Sequence, residues 1–262
     1  MNNPFIVSRA WLPVFLRNYM VWRKLFWPSL IGNIAEPLFV LVAFGFGVGA
    51  LVGSVRFGEH ELSYLVFLAS GSICASTMTA ASFEALYSAY SRMSPQKTWD
   101  GIMNAPVNLN DIIFAELVWA GFKSLFTASA ILLVMLTLGI SYSIKLLAAL
   151  PLLFLTGICF ASLALIFNAL AKGYDFFTYY ITLFLTPMTF LSGVYFPREQ
   201  LPQALGILSD FLPLTASVHL VRPLFLDEWP SAPVGPLLTL IGFALISFAI
   251  ASRLTHKRFG LS

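Results

Sequence analysis

The 262-residue sequence is 58% hydrophobic and only 10% charged, with a net charge of +3 and a mean hydropathy of +0.83. A water-soluble fold of this size needs more charge to wet its surface, so the composition points to an all-α integral membrane protein. The small positive charge carries no sign of a nucleic-acid partner, and the two cysteines, Cys74 and Cys159, lie in apolar runs where they read as packing residues rather than a disulfide or metal set. No short apolar run with a small-residue cleavage site opens the chain, so no removable signal peptide is expected.

Residues 8–25, SRAWLPVFLRNYMVWRKL, come first. On a helical wheel Arg9, Arg17, Arg23 and Lys24 share one side, while Trp11, Val14, Phe15, Val21, Trp22 and Leu25 gather on the other with Asn18 as the exception. That pattern predicts an amphipathic helix lying in the membrane interface; a basic juxtamembrane tail is the alternative.

Six apolar runs are long enough to cross a bilayer, at about 28–52, 62–88, 110–138, 145–171, 176–196 and 233–253. In the first, Glu36 stands beside Pro37, as a carboxylate facing protein or water or as a hydrogen-bonding residue near the interface. Gly45, Gly49 and Gly53 form a ridge of small residues in the same run. In the second and third, Glu84, Glu116 and Lys123 reach membrane depth. Charge placed there requires a partner, so Lys123 is expected to pair with Glu116 or Glu84, with a substrate contact as the alternative. The Lys/Arg distribution favours both termini in the cytoplasm. Arg92 then belongs to a cytoplasmic loop, and Arg56, Lys145, Arg198 and Arg222 lie outside.

Between crossings two and three, the loop 90–109 contains a short helix-like stretch from Gln96 to Asn104, bracketed by Pro95 and Pro106. Trp99 and Met103 recur there at helical spacing and predict an exposed aromatic and aliphatic face; a solvated turn is the alternative. Between crossings five and six, residues 197–225 are broken by Pro and charge. Leu201, Ala204, Leu205, Leu208 and Leu212 keep helical spacing over 199–211, about 20 Å at 1.5 Å per residue and too short to span, before Pro213 interrupts. A second short piece, 215–225, follows. The expectation is a re-entrant pair with its bend at Gly193, or else two helices lying on the outer surface.

His60, His219 and His256 are scattered, so no metal box is expected. The phosphate-cradling pattern G-x-x-x-x-G-K-S/T is absent, so ATP is not expected to bind by that route.

Three blocks carry a family resemblance: RNYMVWRKLFWPSLIGNIAEP, FLASGSICASTMTAASFEALYSAYSRMSPQKTWDGIM, and TPMTFLSGVYFPREQLP with FLPLTASVHLVRP. Together they resemble the nodulation protein J (NodJ) branch of the ABC-2 transporter permeases, over nearly the whole chain. The resemblance implies a six-helix permease of the bacterial inner membrane that forms a homodimer and binds no cofactor itself. Two copies of a separate ABC ATPase, carrying ATP and Mg, would complete it. It assigns Arg9, Trp11, Arg17, Trp22, Arg23 and Lys24 to the interfacial helix, and Pro95, Gln96, Lys97, Trp99 and Met103 to the coupling segment that docks on the ATPase. Gly193, Phe196, Pro197, Leu201, Leu205 and Pro213 would form the external re-entrant gate. NodJ is associated with lipo-chitooligosaccharide export, which makes a lipid-linked saccharide or similar amphiphile the expected cargo. The alternatives are a multidrug exporter, an ion-coupled carrier using Glu36, Glu84 or Glu116, and a membrane enzyme acting on lipids. The last is disfavoured because no nucleophile–base or metal constellation appears.

Overall fold

The computed structural model describes residues 7–57 and 60–260, without the side chains of residues 36, 57 and 60; the side chain of Glu36 therefore lies outside the described residues. Helix α1, Trp11–Lys24, packs along α5, Leu109–Thr137. Edge-to-face ring pairs join them: Trp11 with Phe114 at 5.4 Å, Phe15 with Trp119 at 5.7 Å, and Trp22 with Phe126 at 4.8 Å between centroids. The aromatic side of α1 is thus turned to protein, and Leu12, Leu16, Met20 and Val21 are large apolar residues it leaves exposed, with Leu25 just beyond its end.

The first long helix, α2, runs Phe26–Val52 with a π-helical stretch at Leu41–Val48. A two-stranded antiparallel hairpin follows, β1 Ser54–Phe57 and β2 His60–Ser63. The second crossing, expected from 62, begins at Tyr64, where Ser63 caps the helix with its hydroxyl accepting from the Val66 N–H. That helix, α3, spans Tyr64–Met93 and carries a second π turn at Glu84–Ser88. The glycine ridge serves this same chain: a Cβ on Gly45 would lie 2.4 Å from Leu65 Cδ1, and one on Gly49 3.5 Å from the Tyr64 ring.

The short helix α4, Thr98–Met103, starts after Lys97 in a left-handed conformation at φ 49°. Helix α5 begins with a reciprocal cap between Asn108 and Asp111, and Asp111 also accepts from the Ser8 backbone and hydroxyl at 2.6 and 2.9 Å. Helix α6, Leu146–Leu170, sits at the centre of the bundle against α3, α5 and the last helix, α10, Val234–Arg258.

The predicted fifth crossing, 176–196, is shorter than expected. Helix α7 covers 177–191 and contains a third π turn at Ile181–Leu185. At about 1.5 Å per residue it extends roughly 22 Å, less than the hydrocarbon thickness. The chain then bends at Gly193, φ +71°. The predicted 199–211 helix contracts to α8, Gln203–Asp210, and Pro213 opens the next helix rather than interrupting one: α9 is Pro213–Phe225, at 81° to α8. Proline suits the first helical position, where its missing N–H costs nothing. Helix α9 is buried among α3, α6 and α10, whereas α8 is largely exposed.

Arg222, expected outside, is buried at 3% exposure. Its Nη2 donates to Gly193 O at 2.7 Å and Phe67 O at 3.2 Å, its Nε to Ser70 Oγ at 2.9 Å, and its guanidinium lies 3.8 Å from the Phe67 ring centroid. The bend thereby sits directly on α3. A Cβ on Gly71 would lie 2.8 Å from Val194 Cα and 2.9 Å from Val194 O. Gly71→Ala is therefore expected to cost about 1–3 kcal/mol as overpacking against backbone, while Gly101→Ala, with nothing within 4 Å of the new methyl, is tolerated. Thermal unfolding of the purified variants in detergent measures both; equal midpoints for wild type and Gly71→Ala would contradict this packing.

Candidate functional site

Helix α3 presents Glu84 and helix α5 presents Glu116, each buried, at 4% and 2% exposure. Arg92, one turn beyond the π stretch, reaches both. Its Nε and Nη2 donate to Glu116 Oε1 and Oε2 at 2.8 and 2.5 Å, and Nη2 also donates to Glu84 Oε1 at 2.9 Å. Lys123 Nζ donates to Glu84 Oε2 at 2.6 Å. Indole N–H groups complete the shell, Trp119 to Glu84 at 2.9 Å and Trp99 to Glu116 at 3.2 Å. Asn18 of α1 donates to Glu116 Oε2 at 3.3 Å and accepts from Arg17 at 3.0 Å. Burial lowers Arg17 below its ordinary pKa, the nearby Arg92 guanidinium adds to that, and Glu116 opposes it.

The lattice meets one expectation and corrects two. Of the two expected partners, Glu116 and Glu84, Lys123 takes Glu84, because the bidentate Arg92 occupies Glu116. Arg92 is not a solvated loop residue. Trp99 is 1% exposed, stacks on Phe259 at 6.2 Å and donates inward, so it is no anchor for an outside partner. Met103 is half-buried against the core, and Pro95, Gln96, Lys97 and Asp100 form the exposed side of the segment.

Within the π turn at Glu84–Ser88, the Ala85 carbonyl accepts from Asn168 Nδ2 of α6 at 2.6 Å. Beside this turn lies a cavity of about 650 Å³ between α2, α3, α5 and α7. Asn33, Ser72, Ser76, Thr79, Thr127 and Thr186 contribute hydroxyl and amide groups to its wall, and Phe83, Ile181, Leu185 and Phe190 contribute apolar surface. Ser72 is 5% exposed and its Oγ has no hydrogen-bond partner among the described residues. A second cavity of about 390 Å³, lined by Arg17, Asn18, Trp22, Arg92, Gln96 and Trp119 among others, adjoins the first, and Glu84, Tyr87, Ser88 and Lys123 line both.

The other residues singled out in the sequence lie apart from this lattice. Arg23 and Lys24 are exposed on α1, and Arg9 is exposed just before it. Phe196, Pro197 and Leu201 are half-buried, Leu205 is exposed and Pro213 is buried.

Residues 14–226 match the ABC-2 type transporter family. The chain belongs to that family. It is 42% identical over 248 residues to Nodulation protein J of Sinorhizobium fredii, covering 95% of this chain and 93% of that protein. It is 41% identical over 249 residues to Nodulation protein J of Rhizobium meliloti, again covering 95% and 93%. To Nodulation protein J of Bradyrhizobium diazoefficiens it is 41% identical over 248 residues, with the same coverage. As an ABC-2 family member with helices long and apolar enough to span, it is a multi-pass membrane transport component.

Replacing Arg92 by Met leaves the buried Glu116 without a cation and Glu84 with Lys123 alone, and breaking a buried ion pair by removing one partner costs about 3–5 kcal/mol. The Arg92→Met/Glu116→Gln double variant is expected to recover part of that loss, because one stranded charge is gone. Thermal unfolding checks both; an Arg92→Met protein as stable as wild type would refute the lattice.

Proposed function

We propose that this chain is the permease subunit of an ATP-driven exporter moving a lipid-linked saccharide or similar amphiphile, powered by a separate ABC ATPase. The observation that carries the reading is the two-natured groove beside α3. Hydroxyl and amide side chains, among them the unpartnered Ser72, suit a sugar; the facing aromatic and aliphatic residues suit an acyl chain. The Nodulation protein J relatives support the same cargo class through the resemblance of their sequence blocks.

In this reading the protein sits in the bacterial inner membrane as a homodimer with two ATPase copies, and both termini are cytoplasmic. Two contacts support the arrangement of ends: Ser8 binds Asp111 at the start of α5, and Phe259 beyond α10 stacks on Trp99. The ATPase docks on the exposed Pro95, Gln96, Lys97 and Asp100, while Trp99 ties that segment to Glu116 and hence to the groove. Helix α1 lies in the inner interface. The bend at Gly193 with α8 and α9 forms the external gate, held by Arg222.

Inverted membrane vesicles containing the permease and its ATPase are expected to accumulate a fluorescent acylated chitooligosaccharide when ATP is added. Ser76→Leu, which fills the groove with an apolar side chain, should reduce that uptake at least tenfold while the ATPase still co-purifies. Uptake that ignores ATP and collapses with the proton gradient would instead establish an ion-coupled carrier.

A further inference from the structure

Counted over the described residues, the junction of the two cavities carries more positive than negative charge. Among the described residues, Arg17, Arg92, Lys123 and Glu84 line one or both cavities, and Glu116 stands behind Arg92. Three cations thus face two carboxylates. An excess charge at membrane depth is costly and calls for a counter-charge.

The bonding pattern identifies which cation is available. Glu116 is held by the paired donors of Arg92 and by Trp99 and Asn18, with no contribution from Lys123. Glu84 Oε1 is held by Arg92 and Trp119, and only Oε2 takes Lys123. Release of Lys123 therefore leaves both carboxylates still paired to a cation. Its side chain is also the most accessible of the lattice, at 22% exposure against 14% for Arg92 and 3% for Glu84. A lysine carries its charge on a flexible four-carbon stem with three rotatable donors, so the ammonium can turn from Glu84 Oε2 toward a group in the cavity. Arg17, at the α1 side of the junction, adds a second positive charge that, among the described residues, is linked by hydrogen bonds to Glu116 through Asn18.

We infer that Lys123 and Arg17 form a binding site for the anionic group, a phosphate, sulfate or carboxylate, of the transported amphiphile, whose apolar chain lies in the groove between α2, α3 and α7. The inference deepens the export reading and rests on it for the source of the ligand. The site itself is defined by the charge balance and by the shared lining of the two cavities.

Binding by the purified full-length protein in nanodiscs tests it, with dodecyl phosphate, dodecyl maltoside and inorganic phosphate as probes in titration calorimetry. Wild type is expected to bind dodecyl phosphate about tenfold or more tightly than dodecyl maltoside, and inorganic phosphate more weakly than dodecyl phosphate. Lys123→Gln should lose that preference while Lys123→Arg keeps it. Arg17→Gln, which leaves every Glu84 contact in place, should weaken dodecyl phosphate binding and guards against a folding defect in the first variant. Equal dodecyl phosphate affinity in wild type, Lys123→Gln and Arg17→Gln would overturn the site. Inorganic phosphate binding as tightly as dodecyl phosphate would overturn its assignment to an amphiphile and leave a free-anion site. The assay contains neither ATPase nor ATP, so a failure of ATP-driven transport would overturn the export reading alone.

Discussion

The guanidinium of Arg92 is the interaction on which the rest of this structure depends. Two carboxylates inside a membrane bundle each carry a desolvation cost of several kcal/mol, met only if a cation with good geometry and further hydrogen bonds satisfies them. Arg92 provides that geometry for both, because a planar fork can give two parallel bonds to Glu116 while one nitrogen also reaches Glu84. Around this centre the chain brings together α1 through Asn18, the short α4 through Trp99, and α5 through Glu116 and Trp119. Sequence positions separated by almost a hundred residues thereby share one small polar volume. A chain of hydrogen bonds, from Trp99 through Glu116, Arg92 and Glu84, connects α4 to Lys123, which borders the groove.

A second buried arginine organises the opposite end. Arg222 on α9 binds backbone carbonyls at Phe67 and Gly193, the Ser70 hydroxyl and the face of the Phe67 ring. These acceptors are neutral, where those of Arg92 are carboxylates. Gly193 itself requires a left-handed backbone, and Gly71 allows the bend to lie on α3 without a side chain between them. Arg222 and this close backbone approach position α9, while α8 is tied down by the Arg198–Asp210 ion pair and by Ser209 donating to Leu191 O.

Much of this was legible in the sequence, because apolar length is a strong signal and charge at membrane depth demands a partner. Glu84, Glu116 and Lys123 were recognisable as a group on that ground alone. Arg92 was not, since it follows Tyr90 and Ser91 at the edge of a polar loop and the π turn could not be read from residue types. In a regular helix, positions 84 and 92 lie about 80° apart; the wider i→i+5 turn at Glu84–Ser88 closes part of that angle and carries Arg92 toward both carboxylates. Trp99 was misread for a related reason. Helical spacing identifies an apolar face but not whether it turns to a partner or to the chain's own core, and the indole N–H finds a buried carboxylate behind it. The short α7 was hidden because SGVYFP, after Leu191, is apolar enough to continue the run, although Gly193 ends the helix.

The central claim is that Glu116 and Arg92 hold the exposed α4 segment to the membrane bundle. Amide hydrogen–deuterium exchange across residues 96–104 tests it most directly, comparing wild type with Glu116→Gln, an isosteric change that removes the charge bonded by Arg92 and Trp99. Exchange in that segment is predicted to quicken by about tenfold or more, with a parallel increase in α1 around Asn18. Unchanged exchange in both segments would contradict the account.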